Sequence, residues 1–135
     1  DIANKLHAIC KQKRIKQIIM FGEILGVQDL MYGLEKGKLS FFCFDIYSEK
    51  AGWWGLKQRT KACESVDIPL APLIYVGKWN KETMLRLATG KSSMADHIRE
   101  GVVMKPVSGR RRDLSDVTKA INPDYLTRLK GTEYN

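Results

Sequence analysis

Five charged residues stand where the apolar pattern of this chain asks for burial. Glu23 interrupts the apolar run 18–25 and Asp45 the run 41–47. Glu100 opens the segment 101–105 and Lys105 closes it, while Lys119 lies inside 116–121. An ionised side chain among apolar neighbours is costly unless it is paired or holds a ligand or metal. One such residue reads as a structural salt bridge. Several acids and lysines converging from separate strands suit a ligand with both hydroxyls and phosphates, accompanied by a divalent cation. Carboxylates are hard oxygen donors fit for Mg2+ or Mn2+, and lysine serves phosphate as a point charge.

Other chemistries find little support in the chain. It contains neither G-x-x-x-x-G-K-[ST] nor a strand-linked G-x-G-x-x-G. His7 and His97 have no evident partners for a zinc site or a Ser-His-Asp triad, and His97 reads as a surface or helix-end residue. Cys10, Cys43 and Cys63 share no metal-like spacing. Cys43, within an apolar strand, reads as a reduced, buried thiol, and an intracellular setting (cytoplasm or nucleoid) is the expectation.

The elements that must position these charges follow from periodicity. Ile2, Leu6, Ile9 and Cys10 recur at helical spacing, predicting an amphipathic helix over 2–17 with a basic outer face. Strands are expected at 18–25 and 41–47, separated by a loop with Gly26 and Gly33. Residues 51–55 read as a loop and 56–64 as a short helix. A strand at 73–76 is bounded by Pro69 and Pro72. Asn80 is a good N-cap, with Glu82 in the first turn, for a helix through Ala88. Ser92 or Ser93 would cap a further turn. Strands follow at 101–105 and 116–121, the latter broken by Asn122-Pro123. One mixed α+β domain over 1–135 is the simplest organisation.

The bulk properties agree. The 135 residues, 44% of them hydrophobic, suffice for one core. No apolar run approaches the roughly 20 residues of a membrane span, so no membrane partner is expected. Residues 1–5 show no signal-peptide layout. A net charge of +8 attracts polyanions in a salt-sensitive way. The run Arg110-Arg111-Arg112 reads as an exposed loop and a candidate contact for a nucleic-acid backbone. Trp53 and Trp54 read equally as core or as a stacking surface.

Four strings, taken in order, resemble the covalent nucleotidyltransferase superfamily of DNA ligases, RNA ligases and mRNA capping enzymes. They are Phe21-Gly22-Glu23, Phe41-x-x-Phe44-Asp45-Ile46, Glu100-Gly101-Val102-Val103-Met104-Lys105-Pro106 and Val117-Thr118-Lys119-Ala120-Ile121-Asn122. The tail Asn122-Pro123-Asp124-Tyr125-Leu126, then 130–135, is most similar to ATP-dependent RNA ligases of the Deinococcus type. The resemblance implies an α+β nucleotidyltransferase core, ATP-grasp-like, of mostly antiparallel sheets with flanking helices. It implies ATP and Mg2+ or Mn2+ as cofactors. ATP or AMP and RNA, or a nicked RNA-containing duplex, would be the partners.

By the same resemblance a lysine takes AMP from ATP, AMP passes to a 5′-phosphate end, and a 3′-hydroxyl displaces it to seal the strand. Glu23 would bond the ribose hydroxyls. Phe41 would stack on adenine, with Phe42 as fallback because strand parity puts the two rings on opposite sides. Glu100 would help hold the cation, with Asp45 a lesser metal candidate in a mainly supporting role. Lys119 would contact the α-phosphate. Lys105 would be nucleotide-binding, although alternation places it opposite Glu100 unless the strand is irregular. Two departures stand out. Ile121 occupies the second lysine position of the K-x-K seen in other RNA ligases, and no lysine here lies in K-x-D-G. The expectation is a partial domain that lacks the nucleophile and would need an N-terminal segment of its parent. The alternatives are a non-catalytic basic RNA-binding module of ligase-like fold, and a DNA ligase or capping-enzyme relative.

Overall fold

The computed structural model describes residues 1–26, 38–94 and 97–132. The expected loop position Gly33 and the tail residues 133–135 lie outside them. The architecture is α+β: two antiparallel sheets, each backed by helix.

In the first sheet β1 (Ile19–Leu25) pairs with β2 (Ser40–Ser48), and β2 with the short β3 (Gly52–Trp53), giving the order β1-β2-β3. Its inner face packs against α1 (Ile2–Lys13) and α2 (Leu56–Glu64), with Ile9, Cys43, Ile46, Trp54, Ala62, Cys63 and Ile68 forming the buried cluster. Trp54 is thus core, and its indole N–H donates to Ser48 Oγ at 2.9 Å. Cys43 and Cys63 are free thiols, both fully buried.

The second sheet is the pair β4 (Gly101–Met104) and β5 (Thr118–Ile121). One face of it rests on α3 (Lys81–Ala88), where Met84, Ala88 and Ala120 are buried with Val102 and Met104 against them. The other face presents Val103, Lys119 and Ile121 to solvent. The last helix is α4 (Pro123–Thr132).

Several boundaries depart from expectation for identifiable reasons. The first helix stops at Lys13, not at 17, because Arg14 turns left-handed at φ 53° and its N–H closes onto the Lys11 carbonyl. An arginine there carries a steric penalty that glycine avoids. Arg14→Gly is therefore expected to raise stability by about 0.5–1 kcal/mol, readable as a higher urea midpoint at unchanged slope.

Asn80 caps α3 as expected, accepting from the Thr83 N–H at 3.1 Å. Asn122-Pro123 does more than end a strand. Asn122 is fully buried, its Oδ1 accepts the Asp124 N–H at 3.1 Å, and Pro123 is the first residue of α4, where a missing N–H costs nothing. The last strand begins at Thr118, after a single 3-10 turn at Leu114–Asp116.

The strand expected at 73–76 is not formed. Only Leu70 bridges β2, at Cys43, and residues 71–80 are exposed without regular structure. Ala71 N–H still donates to the Cys43 carbonyl of β2 at 2.8 Å, but past it no strand among the described residues pairs with 73–76.

Candidate functional site

A β-bulge organises the outer face of the first sheet. Phe21 pairs with Asp45 but Gly22 pairs with Cys43, leaving Phe44 as the extra residue on β2. Residues directly opposed in an antiparallel ladder share a face, and a bulge shifts the alternation by one. Before the bulge Phe42 faces out beside Glu23; after it Asp45 and Tyr47 face out while Ile46 turns into the core. Ring contacts agree, since Trp53 lies 5.3 Å from Phe21 and 5.4 Å from Tyr47 between centroids.

Phe42, not Phe41, therefore shares a face with Glu23. Phe41 packs toward the core with its ring over Gly22. A Cβ on Gly22 would lie 2.1 Å from the Phe41 ring tip, so the glycine makes room for that ring. Of the two rings weighed for adenine stacking, the first choice Phe41 thus lies on the core side and the fallback Phe42 on the face of Glu23.

Asp45 is the electrostatic centre of this face. One of its oxygens, Oδ1, meets three cations: Arg59 of α2 at 3.2 Å, Lys105 at 2.9 Å and Arg111 at 2.8 Å. All four side chains are at most about a fifth exposed. Three positive charges around this oxygen would repel a further cation, so Asp45 is an ion-pair hub whose surroundings disfavour the metal role expected for it. Lys105 Nζ also donates to the Phe44 carbonyl at 2.5 Å, and burial pushes its ammonium below the usual lysine range.

The arginine run divides three ways. Arg110 is exposed. Arg112 is 87% exposed and paired at 2.8 Å with Asp116, whose carboxyl its hydrogen bonds lower to about 2. Arg111 is no solvated loop residue, for its guanidinium lies 4.1 Å from the Trp53 ring centroid and reaches Asp45. The loop before it is fixed by backbone contact. Leu56 N–H donates to the Val107 carbonyl at 2.8 Å, and Gly109 packs so close to Trp53 and Gly55 that no Cβ fits. Cation–π contact and ion pair together hold Arg111 over the sheet.

On the second sheet Lys119 pairs with Val103 on the solvent face. Counting on from Val103, Lys105 leaves on the same side as Lys119 and ends at Asp45. The Lys105–Asp45 pair thus joins the Lys119 side of the second sheet to the Glu23–Phe42 face of the first. Glu100 precedes Gly101, whose φ of 157° breaks the simple alternation. The Glu100 carbonyl accepts from the Asn122 N–H at 2.9 Å, and Asn122 Nδ2 donates to the Arg99 carbonyl at 2.8 Å, so α4's cap anchors the start of β4.

Among the described residues no three His, Cys, Asp or Glu side chains gather as a metal-binding set. Mg2+ commonly takes only one or two protein carboxylates and completes its shell with phosphate oxygens and water. His97, expected at a surface or helix end, is half-buried beside the Lys91–Ile98 bridge. Arg59 is the site residue that the sequence reading missed. Its signal lies in α2, where Leu56, Arg59 and Cys63 fall on one face, which puts a cation on the side that packs inward.

A family model described as RNA ligase matches residues 1–121. No curated protein sequence matches the chain. Among solved structures it is similar to the Naegleria gruberi RNA ligase, as a lysine-to-methionine mutant with AMP and Mn, at 27% identity and a TM-score of 0.75, covering 96% of this chain and 39% of that one. The same ligase as a lysine-to-alanine mutant with ATP and Mn gives 25% identity and 0.75, with the same coverages. The form with PPi, at 23% identity and 0.72 over 96% of this chain and 40% of that one, bears on the fold alone. This chain spans about two fifths of the length of these structures.

Proposed function

This chain belongs to the RNA ligase family, and from that premise we propose that it is the adenosine-nucleotide-holding part of an ATP-dependent RNA ligase. The observation that supports the proposal is the Lys105–Asp45 pair, which ties the chain leaving β4 on the Lys119 side of one sheet to the Glu23–Phe42 face of the other. Glu23 would accept hydrogen bonds from the ribose hydroxyls, and Phe42 would stack on adenine. Lys119 would place its charge at the α-phosphate. Glu100 would supply one hard carboxylate to a divalent ion, which when bound neutralises phosphoryl oxygens. The relatives named with ATP, AMP and Mn support this choice of ligands.

In the intact parent, a lysine amine would attack the α-phosphorus and expel pyrophosphate. A 5′-phosphate oxygen would then take AMP by breaking the P–N bond. Last, a 3′-hydroxyl would attack that 5′-phosphoryl group and release AMP. The tail at 122–126 supports the Deinococcus-type branch and an RNA end as substrate. With no K-x-D-G lysine in this chain, incubation with labelled ATP and Mg2+ is expected to leave no covalent adduct.

The test is AMP titration of the chain. Glu23→Gln and Phe42→Ala are each expected to weaken AMP binding about tenfold, in line with loss of one charged hydrogen bond or one stacked ring. Phe41→Ala should instead lower stability. AMP binding untouched by both face variants would refute the assignment.

A further inference from the structure

Residues 71–80 leave large apolar side chains in solvent, among them Tyr75 at 42% and Trp79 at 62% exposure. Leu73, Ile74, Tyr75, Val76 and Trp79 are exposed close together in the chain, and contiguous exposed apolar surface of this kind marks interaction sites. The segment also carries Lys78, and Lys81 opens α3 directly after it. From 68 to 81 the chain has these two lysines and no acid; Glu82 is the first. The Tyr75 ring folds back over Gly77. A Cβ on Gly77 would lie 2.3 Å from the tyrosine Oη and 2.6 Å from Cζ. Two aromatic rings, one lying over Gly77, alternate with two cations on a chain of net charge +8.

We propose that Tyr75 and Trp79, with Lys78 and Lys81, form a stacking platform for single-stranded nucleic acid, separate from the nucleotide site. Bases stack on exposed aromatic faces with little regard to sequence, and neighbouring lysines track the phosphates. Charge decides for a polyanion here. An apolar protein partner would have to bury both lysines, each without an acid from the segment to pair with.

The platform needs no ATP, so its test stands apart from AMP titration. The 135-residue chain is titrated with a fluorescein-labelled oligouridylate of about 12 nucleotides, within the usual site size for such surfaces. Trp79→Ala and Tyr75→Ala are each expected to weaken binding about tenfold or more, with the far-UV spectrum and AMP affinity unchanged. Trp79→Phe should recover most of the loss, because a ring remains. Gly77→Ala, by displacing the Tyr75 ring, should fall between. Lys78→Glu with Lys81→Glu should flatten the salt dependence by about two phosphate contacts. Full affinity in both alanine variants overturns the proposal. So does a self-associated chain that Trp79→Ala splits into monomers, which would make the segment a contact between copies.

Discussion

Asp45→Ala is expected to lower the stability of this chain by about 3–5 kcal/mol, the range for breaking a buried ion pair by removing one partner. The loss would be a large part of the roughly 5–15 kcal/mol typical of a whole domain. The size follows from the arrangement around one oxygen: Arg59, Lys105 and Arg111 come from α2, from the end of β4 and from the following loop, and all converge on Asp45 Oδ1. Without the carboxylate, three mutually repelling cations are left in a largely buried space.

The complementary change should behave differently. The cluster has a surplus of positive charge, and burial already pushes the Lys105 ammonium below the usual lysine range. Lys105→Met, which keeps the aliphatic stem and removes that charge, is expected to cost less than about 1 kcal/mol. Because the folded pKa of Lys105 is lowered, its charged form is disfavoured in the fold. Its unfavourable contribution is fully present below that lowered value and fades as pH rises toward the unfolded value of 10.5. Urea unfolding of both variants at neutral and alkaline pH checks the whole scheme. An Asp45→Ala midpoint equal to that of the unsubstituted chain would mean that the ion pairs are solvated and inert.

Gly101→Ala is expected to cost about 2–5 kcal/mol, combining backbone strain with overpacking. Gly101 sits at φ 157°, and a Cβ there would lie 2.2 Å from the Ala120 carbonyl oxygen and 3.0 Å from the Ile121 Cα. Those are backbone atoms of the partner strand, so neither can yield by a rotamer change. The loss should concentrate in the second sheet and α3, whose small core is separate from that under the first sheet. Hydrogen exchange would show it as lost protection at Val102–Met104 and Thr118–Ile121 while the β1–β2 amides hold. Gly90→Ala is the control. Gly90 has φ +98° but nothing within 4 Å of where a methyl group would sit, so strain alone should cost about 1 kcal/mol. Equal losses at both sites would show that the clash at Gly101 relaxes away.

Local patterns locate most of the elements and fail where a distant neighbour decides. The helix at Lys81–Ala88 and the helix at Leu56–Glu64 are legible in Asn80 and in apolar spacing, since caps and helical periodicity are local properties. Residues 73–76 have the composition of a strand, but a strand exists only if another supplies hydrogen bonds, and composition does not reveal that partner. Asn122-Pro123 reads as a terminator because both residues break strands. That the pair also caps a helix depends on residues 124–132 coiling behind it.

What the sequence alone determined was membership of a family and the set of charges that do not belong on apolar strands: Glu23, Asp45, Glu100, Lys105 and Lys119. Burial periodicity and motif order are written residue by residue along the chain, so both can be read there. Tertiary structure decided the partners of Asp45 and Lys105. The extra residue Phe44 turns Asp45 outward and leaves Phe42, not Phe41, on the face of Glu23, and the packing of Val107–Gly109 on Trp53–Leu56 carries Arg111 to Asp45. Both outcomes arise from contacts between segments far apart in the chain, which no local pattern encodes.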